Sequence, residues 1–289
     1  MKKATYLANP DVAQFCSWFG HTLIGKLPVL TQMVRGGLTV TFHGLPDALA
    51  KYDWQFTVAV PGAPAAITGH TYADNATMLG TLAVGLRGAL GSGVDSGVRD
   101  WSIAVMAWGG VTAHNVAWLT ANTRGLHAHV TAHRSMLATD DDNLTSLATT
   151  TRRFNAGMSK VYSLILDQFI IYDSRVAGAV AWFVCEWCGT ARIPDLLAFA
   201  CLPAKEHPKA MRRKRRNPCN EFFPSVYSRP HLHAHWNLRA SWVLAESLRL
   251  AALKMPGNAF AMSANPLRAL EAALFMWGYD LPVCALSRD

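Results

Sequence analysis

The chain has 289 residues, 51% of them hydrophobic and 16% charged, which is enough to bury a large core without disulfides or metals and too apolar for a disordered chain. Its 21 glycines and 14 prolines are scattered and no repeat period is visible, so collagen-like, proline-rich and repeat architectures are excluded. Net charge is +8, and the segment Lys205–Arg216 carries seven cations against the single Glu206, so six of the eight excess charges sit in a basic loop spanning 204–220. That concentration points to an anionic partner, nucleic acid first.

In chain order, the first 70 residues alternate apolar runs with Gly25, Pro28, Gly44, Pro46, Pro61 and Pro64, which predicts short helices and loops. From Asp74 the apolar period lengthens. Met78, Leu82 and Leu86, then Trp101, Val105 and Trp108, then Val116 and Leu119 recur at helical spacing. The cluster Asp140-Asp141-Asp142-Asn143 reads as a cap for a helix over Leu144–Arg153, because its oxygens can accept first-turn amides. Phe154–Ser159 reads as a glycine-containing turn, and Lys160–Leu166 as a second helix with Val161, Leu164 and Ile165 on one face. A strand-like apolar run, Phe169–Asp173, leads into a helix that buries Val176, Val180, Phe183 and Trp187, so Asp173 falls at a helix N-terminus where the dipole favours a carboxylate. His231–Trp236 precede a helix with Leu238, Trp242, Ala245 and Leu248. Asn265-Pro266 opens a last helix buried through Leu267, Leu270, Leu274 and Trp277.

The stretch Met158-Ser159-Lys160-Val161, followed by Ile171-Tyr172-Asp173-Ser174-Arg175-Val176, resembles the core of the helix-hairpin-helix DNA glycosylases. That family follows a hairpin with a lysine and, a little later, with an aspartate motif; Arg175 stands where the family carries histidine. The resemblance spans Arg152–Trp182. It implies a mainly α-helical, two-lobed unit over 1–289, with the helix-hairpin-helix and catalytic core at 140–190. It also implies a double-stranded DNA partner with a modified or damaged base flipped out of the stack, and cleavage of that base's N-glycosidic bond. In this reading Asp173 stabilises the positive charge that develops on the sugar, and Lys160 attacks the anomeric carbon as in the family's bifunctional members, which also cleave the abasic site. The hairpin residues Asn155, Gly157 and Ser159, with Arg152, Arg153 and Arg175 beside them, would hold the DNA. Arg212, Arg213, Lys214, Arg215 and Arg216 would add phosphate contacts from the basic loop. Repair and defence against hypermodified foreign DNA both fit such an enzyme.

Trp108 and Asn115 are candidates for the base pocket by stacking and hydrogen bonding, with core packing the plainer role for the tryptophan. Cys185-x-x-Cys188 with Cys201, Cys219, His207, His231, His233 and His235 could be assembled into a zinc site on paper, but the first two lie on an apolar predicted helix, where buried free thiols are commoner. The four closely spaced cysteines of the family's iron-sulfur members are absent, so neither metal nor other cofactor is expected. With no signal-peptide pattern after Met1-Lys2-Lys3, and an apolar maximum at Val176–Cys185 that is too short to span a bilayer, a cytoplasmic, nucleoid-associated protein is expected. The competing reading is a non-catalytic helix-hairpin-helix module that grips the DNA backbone.

Overall fold

Residues 1–34, 37–148, 153–204, 214–226 and 229–284 are described by a computed structural model. The protein is mainly helical, with 56% of it in helix and few, short strands. The opening stretch holds α1 (Lys3–Leu7) and α2 (Pro10–Thr22), the latter capped by Asn9, whose side chain accepts the Asp11 and Val12 amides. Then come two small antiparallel hairpins, with α3 (Leu45–Ala50) between them. β1 (Val29–Met33) pairs with β2 (Thr39–His43), setting Thr31 opposite Thr41, and β3 (Phe56–Val58) pairs with β4 (Ile67–Gly69). These hairpins are a departure from the expected helices and loops: strands of three to five residues carry too little alternation to be read.

The helical middle follows the sequence periods. α4 (Tyr72–Ser92) starts at a capping box in which Thr71 and Asp74 exchange side-chain and backbone bonds. α5 (Asp95–Trp108), α6 (Ala113–Ala121) and α7 (Leu126–Leu137) follow it. The helix expected over Leu144–Arg153 does not form as drawn, for only a 3-10 turn stands at Thr145–Ala148 and 149–152 lie outside the described residues. Its supposed caps are used elsewhere. Asp142 is buried against the N-terminal ammonium of Met1 and against Arg239, 2.7 Å away, while Asp141 pairs with Lys2 at 2.9 Å.

α8 (Ala156–Ile165) begins four residues earlier than expected, because Asn155 caps it by accepting the Gly157 and Met158 amides at 2.9 Å. The turn expected over Phe154–Ser159 is thereby shortened among the described residues. Gly157 and Ser159 lie within the first turn of α8, and the Ser159 amide is spent on the Asn155 carbonyl at 2.8 Å. α9 (Ser174–Cys188), α10 (Pro230–Lys254) and α11 (Pro266–Trp277) complete the fold, and α11 is capped by Asn265 as its Asn-Pro signal indicated. His231–Trp236 belong to α10 itself.

Packing sorts the helices into two groups. α4, α5, α6, α7 and α8 pack among themselves, while α2, α3, α9, α10 and α11 form a second set, and one hydrophobic cluster runs through both. Where the groups meet, the start of α9, the end of α5 and the faces of α4, α8 and α11 enclose a cavity. Among the described residues no helix is long and apolar enough to cross a membrane.

Candidate active site

Both residues singled out as chemically active face this cavity, and they face each other. Lys160 sits on the first turns of α8, with its side chain 6% exposed, and its ammonium lies 3.6 Å from Asp173 Oδ2. The same nitrogen donates to the Ala156 carbonyl at 3.3 Å. Its path runs over bare backbone: a Cβ on Gly109, the residue that ends α5, would stand 2.5 Å from Lys160 Cδ and Cε.

Asp173 is the N-cap of α9. Its Oδ1 accepts the amides of Arg175 at 2.9 Å and Val176 at 3.1 Å, which leaves Oδ2 to the lysine. Burial works to raise this carboxyl. Lys160, Arg175 and the two capping amides outweigh it and hold the group below the usual carboxylate range.

The segment leading to Asp173 belongs to no sheet, and its buried backbone groups are met by side chains instead. The Ile170 amide donates to Ser241 Oγ at 3.2 Å, and its carbonyl accepts from Asn237 Nδ2 at 2.9 Å. The Ile171 amide donates to Glu271 Oε2 at 2.6 Å, and His233 Nε2 donates to the Tyr172 carbonyl at 2.8 Å. His233, Asn237 and Ser241 recur every four residues and so share one face of α10. The four-residue spacing of the three polar residues was the signal available for them in the sequence. Burial brings the His233 imidazole down to about 4, so the ring is neutral over most of the pH range.

The cavity walls are aromatic. Trp54 Nε1 donates to the Trp108 carbonyl, Trp108 Nε1 to Asn75 Oδ1, and Asn75 Nδ2 back to the Trp54 carbonyl, at 2.9, 2.9 and 3.0 Å. Phe275 meets Trp54 edge to face at 5.3 Å, and Tyr52 completes that side. Arg268 and Glu271, 2.6 Å apart and three residues apart on α11, close the far end. Burial pushes the Glu271 carboxyl above its ordinary value despite Arg268 and the Ile171 amide. The cavity itself is about 40 Å3, room for roughly three waters at 10–15 Å3 each.

Other sequence candidates are placed as follows. Trp108 lines the cavity, whereas Asn115 lies outside it, its Oδ1 accepting from Asn155 at 2.9 Å and Arg153 at 3.0 Å. Arg153 also lies over Trp118 at 5.4 Å. The Arg175 guanidinium is stacked 4.0 Å from Phe275 and 4.5 Å from Tyr279, beside the cavity wall, and burial together with Arg216 brings it down to about 10. Lys214 donates to Tyr279 Oη at 2.7 Å, and the buried Arg216 donates to the Gly278 carbonyl at 2.6 Å. Lys214, Arg215 and Arg216 border a cavity of about 540 Å3 that has no carboxylate among its described lining residues. Arg152, Arg212 and Arg213, with Lys205–Ala210, lie outside the described residues. Cys185 is a buried free thiol on α9, and among the described residues no three His, Cys, Asp or Glu side chains are arranged to hold a metal ion.

Tyr52, Trp54, Arg268 and Glu271 escaped the sequence reading. The first two sit in a breaker-rich loop, and Arg268-x-x-Glu271 looks like an ordinary exposed helix pair until α11 is packed. Comparison with known protein families, with curated proteins and with solved structures gives no match.

Proposed function

We propose that this chain is a DNA N-glycosylase that takes a modified or damaged base out of the duplex and cuts its bond to the sugar. The observation that carries the reading is the Lys160–Asp173 pair: an amine and an ionised carboxylate 3.6 Å apart, shut in a cavity walled by Tyr52, Trp54, Trp108 and Phe275. The two come from different elements, and both charges are buried at the wall of a cavity, a setting that active sites favour.

N-glycosidic cleavage passes through an oxocarbenium-like sugar. Asp173 Oδ2, fixed by the cap on Oδ1, supplies the negative charge that stabilises it without having to reorganise. In this reading the Lys160 ammonium first passes a proton to water, and the resulting amine attacks the anomeric carbon as the carbon–nitrogen bond breaks. The bonding pair leaves with the base, which gains a proton as the amine sheds one. The adduct opens to an imine, and its hydrolysis leaves an abasic site.

Because the amides of Gly157 and Ser159 are committed inside α8, phosphate contact in this reading falls to Arg175, Lys214 and Arg215 around Tyr279 and the carboxylate-free cavity next to it. The reading is tested by alkaline strand scission of DNA carrying damaged or modified bases after incubation with the protein. Breaks at the modified positions, absent with Asp173→Asn, are expected. Intact strands across the panel would refute it.

A further inference from the structure

The Lys160–Asp173 cavity, at about 40 Å3, has no room for a base of its own, but it shares Tyr72, Ala76, Leu79, Arg268 and Glu271 with a groove of about 820 Å3. A base whose anomeric carbon reached Asp173 would have to extend into that groove. The volume lies at the upper end of the roughly 300–1,000 Å3 of pockets that take drug-sized ligands, and it far exceeds what one heterocyclic ring fills.

Charge separates this groove from a backbone track. Its charged lining residues are Arg87 and Arg268 against Asp167 and Glu271, a balance of zero, whereas the charged residues among the described lining of the cavity beside Lys214–Arg216 are all cationic. Phosphates would favour the latter. The neutral groove instead presents uncharged polar side chains: Ser163 on α8, Gln168 from the α8–α9 connection, Ser263 and Asn265 before α11, and the edge of Tyr72, whose hydroxyl lies 3.3 Å from Ser263 Oγ. Such a mixture suits an uncharged, polyhydroxylated group, which needs many paired donors and acceptors and no counter-ion.

Two backbone features agree. Gln168 is the one non-glycine residue with a positive φ among the described residues, at 52°, and it lies on the groove wall. Gly80, in the middle of α4, leaves the floor open, for a Cβ there would meet nothing within 4 Å.

From these observations we infer that the groove is a subsite for a hexose-sized, uncharged polyhydroxyl substituent on the excised base, so that the substrate class is a glycosylated base in DNA. The inference rests on the glycosylase reading above. It is tested by measuring base release from two otherwise identical DNAs, one with 5-hydroxymethylcytosine and one with its glucosylated form, using the wild-type chain and Gly80→Phe. Phenylalanine at position 80 projects into the groove and replaces a helix-interior glycine, so folding should persist, which a thermal melt checks.

The expected result is at least tenfold faster release from the glucosylated DNA by the wild type, with that preference cut at least tenfold in Gly80→Phe. Equal or faster release from the unglucosylated DNA, or a preference untouched by Gly80→Phe, overturns the subsite and leaves the glycosylase standing. Release of neither base, with release of some other damaged base, also overturns the subsite alone. No release from any DNA removes both.

Discussion

Asp173 divides its two carboxylate oxygens between two tasks, capping α9 with Oδ1 and facing Lys160 with Oδ2. A cap and a catalyst are thus compatible in one residue, and substitution can separate them. Asn caps nearly as well as Asp but leaves the buried Lys160 without its counter-charge, so Asp173→Asn should lower stability by up to about 3–5 kcal/mol, read by thermal melting, while base release by the folded variant falls on the order of 10²–10³-fold. Gly109 offers a second separation. A methyl there would stand 2.5 Å from Lys160 Cδ and Cε, so Gly109→Ala must displace the lysine. Borohydride trapping of a protein–DNA adduct should drop at least tenfold in that variant while its melting temperature stays near the wild-type value. His233 gives a test by pH. Its folded-state value of about 4 lies below the ordinary 6.5, so between those values the unfolded chain holds more protons. Stability from this group is therefore fully present above pH 6.5 and is lost as pH falls towards 4, by about 3 kcal/mol at 1.36 kcal/mol per unit. Denaturant titrations of His233→Gln should lack that part of the slope.

At the scale of elements, α9 and α11 fix the site through contacts that admit no side chain. A Cβ on Gly178 of α9 would stand 2.2 Å from the Arg216 carbonyl oxygen, and one on Gly278, just past α11, 2.0 Å from that of Arg175. Backbone cannot yield cheaply, so Gly178→Ala should destabilise by about 1–3 kcal/mol, seen as a lowered denaturation midpoint. These elements also show what the sequence could and could not say. The long helices were legible from their apolar periods, and Asn265-Pro266 and Asp173 were legible as helix starts. The Lys160–Asp173 pair was legible only through its resemblance to a motif, since 13 positions apart on a chain says nothing about distance in space. The start of α8 was placed four residues too late because Asn155 both resembles a turn residue and caps a helix, and the second role won. The Asp140–Asn143 cluster misled for a similar reason: its carboxylates found Met1, Lys2 and Arg239, partners too far off in sequence to be read.

At the scale of the molecule, charge differs between two cavities. The cationic rim of Lys214, Arg215 and Arg216 and the neutral groove lie on separate cavities, so general DNA affinity and base selection should respond to different substitutions. Affinity for any duplex should fall steeply with salt, and Lys214→Ala should reduce the log–log slope by about 0.9 if it meets one phosphate, as fluorescence anisotropy across a salt series would show. The site also lies where two helical groups meet. What makes the protein an enzyme, in this reading, is the buried amine–carboxylate pair at that seam. Mass spectrometry of free bases released from a panel of DNAs carrying natural, damaged and hypermodified bases, run beside Asp173→Asn with DNA affinity measured in parallel, asks about that pair most directly. Release of one base by the wild type, lost in Asp173→Asn while affinity stays within twofold, is the expected outcome. Release that survives Asp173→Asn, or DNA binding with no base released from any member of the panel, would contradict it.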